Sequence, residues 1–204
     1  SFTFSLYSFM HIFTFFWMIS AIGQPFSRKD SLRGNLTPIR TCFDVSYYHL
    51  KLSIKPENKH IEGFSDIHFK VISNFTKIQI DLFENMNISA IKFEGENLNF
   101  NREFNAVFIH FNRLIKKGEQ TNIQVYFNGN PREAVNPPWD GGFSWKKDEN
   151  GKDWIGVSCQ GLGASSWWPN KDHQSDEPDS MLISCQVPAP LKCIANGNLR
   201  FHDL

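Results

Sequence analysis

Neither sign of charge is in excess in this chain: 21 Lys and Arg are matched by 21 Asp and Glu. A balanced chain has no field to draw in nucleic acid or an anionic membrane surface, which argues against both as partners. Cysteine is sparse, and Cys42, Cys159, Cys185 and Cys193 lack C-x-x-C spacing, which argues against a structural zinc site. There is no H-E-x-x-H, no pair of His at helical spacing and no G-x-S-x-G. Neither G-x-x-x-x-G-K nor G-x-G-x-x-G occurs. These gaps remove the common zinc-hydrolase, serine-hydrolase and nucleotide-binding arrangements from this stretch. The seven His are scattered, and His49, His60, His68 and His110 fall on or beside expected strands. Long apolar runs are also scarce. Phe9 to Ile22 is the one candidate, and it falls short of the roughly 20 residues that a membrane-spanning helix needs.

That run has the length of a signal-peptide core, and Ala21-Ile22-Gly23 supplies small residues for cleavage after Gly23. The expectation is an exported chain, with residues 1–23 a signal peptide and a membrane link only if that segment stays uncleaved. No Met or basic stretch precedes Phe2, so a longer parent chain is expected. Residues 24–40 are polar and carry Ser, Arg, Asn and Pro without periodicity, which reads as a linker. Export permits disulfides, with Cys185–Cys193 and Cys159–Cys185 as the candidate pairs and buried free thiols as the alternative.

From Phe43 onward apolar and polar residues alternate, as in half-buried strands. Val45, Tyr47, His49, Lys51 and Ser53 form one face, and Tyr48, Leu50, Leu52 and Ile54 the other. Ile61 to Val71, Lys77 to Phe83, Met86 to Phe93, Ala106 to Phe111 and Asn122 to Phe127 continue the pattern. Phe143 to Lys147 and Trp154 to Val157 form a hairpin about Asp148-Glu149-Asn150-Gly151. Met181 to Val187 and Ile194 to Arg200 complete the set. Strands this frequent, with no convincing helix, predict an all-β domain over 41–204, an antiparallel β-sandwich or saddle-like open barrel.

Two stretches break the alternation. Pro131 to Gly142 (PREAVNPPWDGG) is irregular and holds three prolines. Val157 to Met181 pairs Trp167 with Trp168 and gathers Asp172, Asp176, Glu177 and Asp179, flanked by Gly161, Gly163, Pro169 and Pro178. Hard cations favour carboxylates, but the Asp-x-Asp-x-Asp-Gly rhythm is absent and Lys171 and His173 interrupt the acids. A salt-bridged structural loop is the better expectation, with at least one Trp as a buried anchor.

These two stretches resemble the motifs of the aminopeptidase N-like zinc metallopeptidases, most of all the bacterial branch. The matching residues are Pro131 to Gly142 and Gln160 to Met181 (QGLGASSWWPNKDHQSDEPDSM). The resemblance covers Asp30 to Leu204 and implies the N-terminal β domain of such an enzyme, packed on a catalytic domain that binds zinc. In the family a Glu or Gln at the end of the strand entering this loop binds the substrate's α-amino group, and Gln160 matches it. Gly161 and Gly163 would then allow close backbone approach, with peptides bearing a free N-terminus as substrates. Ser158 departs from relatives that carry a second Gln there. The H-E-x-x-H and G-x-M-E-N motifs are missing from this chain, so peptidase activity is not expected from it alone. The alternative is a stand-alone β-sandwich module that binds protein or carbohydrate.

Overall fold

The computed structural model describes residues 26–201. The signal-peptide reading of 1–23 therefore lies outside the described residues. Among the described residues eleven strands dominate the fold. They are β1 (Phe43–Lys55), β2 (His60–Val71), β3 (Phe75–Asp81), β4 (Met86–Phe93), β5 (Glu96–Asn97), β6 (Asn99–Glu103), β7 (Ala106–Ile115), β8 (Gln120–Gly129), β9 (Gly142–Lys147), β10 (Asp153–Ser158) and β11 (Ser180–Gln186). They make a six-stranded sheet in the order β11-β1-β2-β8-β4-β5, a three-stranded sheet β3-β7-β6, and the β9–β10 hairpin.

One hydrophobic core joins the sheets. Leu50, Ile67, Ile91 and Val125 of the large sheet share it with Ile78, Ile80 and Ile109 of the small one, all fully shielded from solvent. The abundant phenylalanines run through it as a relay. Phe43–Phe69, Phe75–Phe111 and Phe93–Phe111 meet edge-on with ring centroids 5.3, 5.2 and 5.0 Å apart. Each such side chain contributes about 1.5–3 kcal/mol by leaving water, and the edge-on pairing adds to that. The chain is thus all-β and sandwich-like, as its alternation predicts.

Four details differ from the sequence reading. First, β11 pairs with β1 in parallel, so the large sheet is mixed. The 157–181 excursion carries the chain back across the molecule and lets it re-enter in the same direction as β1. Second, β1 does not alternate strictly. A register shift between Val45 and Tyr47 puts Val45 and Tyr48 both in the core, which is what a bulge does to a period of two. Third, Ile194 to Arg200 forms no strand, and Ile194 and Leu199 are exposed. The alternation is there, but no neighbouring edge supplies hydrogen bonds. Fourth, the segment read as a linker carries two short helices, α1 (Arg28–Gly34) and α2 (Pro38–Thr41).

These helices have local and distant causes. Ser27 and Asp30 close a capping box at the start of α1. Leu32 and Ile39 then pack on Ala106 and Phe108, covering the outer face of the small sheet. Few positions in so short a stretch are apolar, so its sequence gives no helical periodicity.

Candidate functional site

The candidate loop begins as β10 ends at Ser158. The carbonyl of Cys159 accepts the N–H groups of Leu162 and Gly163 at 3.1 and 3.0 Å, closing a turn with Gln160 exposed at its tip. Gly161 sits at φ +73° with open space on its Cα. The conformation itself favours glycine, and nothing in the fold crowds the approach to it. Gly163, at φ +84°, has the opposite surroundings: a Cβ there would run into the Asp172 carboxylate. The three predicted site residues therefore share one turn. Gln160 and Gly161 face outward, and Gly163 backs onto the loop's own interior.

Beyond the turn the loop is anchored at every step. Trp167 is half-buried against Phe143, and its indole N–H points at the sulfur of Cys159, 3.2 Å away. Trp168 is buried edge-on to Tyr48 at 5.0 Å, the anchor the sequence predicts. Asn170 and Asp81 exchange two backbone hydrogen bonds, stitching the loop to the end of β3. Tyr48 accepts the Lys171 N–H at 3.0 Å through its phenol oxygen. Burial raises the pKa of that phenol, with the Asp176 carboxylate adding to the rise.

Lys171, Asp172, His173 and Asp176 make internal contacts. Lys171 pairs with Asp176, donates to the Phe43 carbonyl at 2.6 Å and lies over the Phe43 ring. Asp172 accepts the Ser165 hydroxyl at 2.6 Å and the Ser165 N–H at 3.2 Å. His173 contacts Ser175 and the Gly34 carbonyl. Such charges would be costly to bury unpaired, and the buried ones here have partners, while Glu177 and Asp179 face solvent. Among the described residues no three His, Cys, Asp or Glu form a group able to hold a metal ion. The residues present thus do not fit a zinc site, and no hydrolytic step is assigned to them.

Sequence reasoning missed the groups beneath the loop. Arg40 is fully buried and pairs with Asp81 on β3. Its guanidinium also donates to the carbonyls of Leu32, Arg33 and Asp172. Burial lifts the pKa of Asp81 to about 6, against the pull of Arg40, Gln79 and the Asp172 N–H. Gln79 donates to Leu32 at 2.8 Å and to Asp81 at 3.1 Å. Gln79 and Asp81 alternate with Ile78 and Ile80 as solvent-facing residues of a half-buried strand would, so the pattern of β3 hides their burial.

The second motif lies beside the first. Ser158 donates through Oγ to the Pro138 carbonyl at 2.7 Å. A Cβ on Gly141 would touch both the Gln160 carbonyl and the Leu162 side chain. Asp140 accepts the Val135 N–H at 2.6 Å and so holds the proline-rich loop in shape. Val135 and Trp139 project from it, 89% and 69% exposed. The four cysteines are free thiols in this structure.

No protein-family model matches this chain, and no curated protein sequence does. Solved structures do. An M1 zinc metallopeptidase from Deinococcus radiodurans bound to a Tyr-Ser-Ala substrate aligns with a TM-score of 0.63 and 23% identity, over 79% of this chain and 36% of that one. A structure described as an M1 zinc metallopeptidase from the same organism gives a TM-score of 0.57 and 21% identity, over 73% of this chain and 33% of that one. Native leukotriene A4 hydrolase from Saccharomyces cerevisiae gives 0.60 and 16%, over 82% of this chain and 27% of that one. This chain thus spans about a third of the length of the metallopeptidases it matches, and it has the fold of that part of them.

Proposed function

We propose that this chain is the amine-recognising β domain of a zinc-dependent aminopeptidase, an enzyme that releases N-terminal amino acids from peptides. The observation that carries the reading is the Gln160 turn, exposed at its tip and fastened to the core by the motif residues behind it. A terminal ammonium needs acceptors, and the Gln side-chain carbonyl is one. A hydrogen bond to a charged partner contributes about 1.5–3 kcal/mol, enough to favour a free amine over an internal amide. The fold shared with metallopeptidases supports the assignment.

On this reading zinc and the groups that activate water belong to a catalytic domain in the longer protein. Val135 and Trp139 of the adjoining proline-rich loop and Trp154 of β10, all well exposed, belong to the face that packs on it. Export rests on the Phe9 to Ile22 run. The test is hydrolysis by the longer protein of an aminoacyl-anilide and of its N-acetylated counterpart, with and without a zinc chelator. The reading expects cleavage of the free-amine substrate alone, abolished by chelation. Equal cleavage of the acetylated compound would overturn it.

A further inference from the structure

We propose that Arg33 is a positioning residue for Gln160, acting from α1 across 128 residues of sequence to the Gly161 carbonyl; this rests on reading Gln160 as the amine contact. Arg33 donates from one guanidinium nitrogen to the carbonyls of Gly161 and Leu162, at 3.0 and 2.9 Å. Those are the carbonyls of the two residues that follow Gln160. The Cys159 carbonyl secures the turn from its N–H side, and Arg33 secures it from its C=O side. With both in place the Gly161–Leu162 and Leu162–Gly163 peptide planes are held on both sides, which restrains the backbone that Gln160 adjoins.

Arg33 can do this because its own backbone is held from the core. Gln79 and Arg40 bond the Leu32 carbonyl, at 2.8 and 3.2 Å. Arg40 also bonds the Arg33 carbonyl at 2.6 Å, and His173 bonds the Gly34 carbonyl at 3.2 Å. Three successive carbonyls at the end of α1 are thereby claimed by side chains of three separate elements. The ion pair of Arg40 with Asp81 ties the assembly to β3. At the other end of α1, Arg28 pairs with Glu103 of β6. An unbroken line of polar contacts therefore runs from the small sheet, through α1, to the carbonyl of Gly161, next to the residue proposed to read the substrate amine. A group held in this way adds to binding because less order has to be imposed when substrate arrives.

The test uses steady-state kinetics of the longer protein on an aminoacyl-anilide with four variants: Gln160→Ala, Arg33→Ala, Arg33→Lys and the Gln160→Ala/Arg33→Ala pair. Arg33 is exposed, so its loss leaves the melting temperature close to that of the parent. Arg33→Ala is expected to raise KM about tenfold while kcat changes less, as for a misplaced contact. Arg33→Lys keeps a cation with several donors and recovers most of the loss. The double variant is expected to be no worse than Gln160→Ala alone, because both act through one contact. Impaired Gln160→Ala with unaffected Arg33→Ala would overturn the positioning role and spare the amine contact. Full additivity would also overturn it. Unaffected Gln160→Ala would overturn the amine contact itself.

Discussion

The Asp172 carboxylate stands where a side chain on Gly163 would have to be. Asp172 is held there by the hydroxyl and N–H of Ser165, so it cannot step aside without losing two hydrogen bonds. Gly163 also lies at φ +84°, where a Cβ is strained. Gly163→Ala is expected to cost about 2–4 kcal/mol in urea denaturation, combining backbone strain with the displaced carboxylate. Adding Asp172→Ala should return part of the loss by freeing the space. A second substitution that only adds to the damage would contradict this packing.

Gly63 makes a parallel case inside the large sheet. A Cβ on it would strike the Lys51 carbonyl of β1, which is backbone and cannot rotate away. Gly63→Ala is therefore expected to destabilise by more than about 2 kcal/mol, although alanine suits strands better than glycine. A urea midpoint equal to that of the parent would show that β1 and β2 separate at no cost.

Asp81 gives a pH dependence whose sign is unusual for a carboxylate. Its pKa in the folded chain is about 6, above the ordinary value of about 3.9. The folded state therefore holds the proton more tightly. Stability falls as pH rises between about 4 and 6, because the unfolded chain sheds its proton first. The cause is the hydration lost on burial, which outweighs the attraction of Arg40. Asp30, Glu62, Glu103, Glu119 and Asp140 have lowered pKa values and push the other way. Subtracting Asp81→Asn removes their common contribution. The stability of the parent minus that of Asp81→Asn should decline across this window, by about 3 kcal/mol at most. A difference that is constant with pH would contradict the account.

The cysteines should separate by reactivity. Burial pushes the Cys42 thiol up to about 11, while a hydrogen bond from Cys185 draws exposed Cys193 down to about 7. The thiolate is the reactive form. Iodoacetamide at pH 7.5, followed by mass spectrometry of the reduced folded chain, should label Cys193 first and leave Cys42 unmodified. Equal labelling of the two would contradict these environments.

Much of the fold is legible in the sequence because alternation records which face of a strand is dry. In β4 the large apolar residues Met86, Ile88, Ile91 and Phe93 are the buried ones, with a register shift between Ile88 and Ala90, and the β9–β10 turn is set by Asp148 and Gly151. Contacts between distant residues were not legible. α1 and α2 are stabilised by Phe108, Gln79 and Asp81, none of which is near them in sequence. β5 and β6 are short and polar, and they exist because β4 and β7 offer them edges. The candidate loop was found through its motif, and Gln160 and Gly161 do lie together on its exposed turn. Arg33 could not be found in that way, since nothing about an arginine in a polar segment indicates which carbonyls it will reach.

The most direct test of the central claim is kcat/KM of the longer protein and of its Gln160→Ala variant on an aminoacyl-anilide. If the Gln160 amide accepts a hydrogen bond from the substrate ammonium, its removal lowers kcat/KM roughly tenfold to a hundredfold. An unchanged kcat/KM, in a variant that melts with the parent, would remove Gln160 from the substrate site.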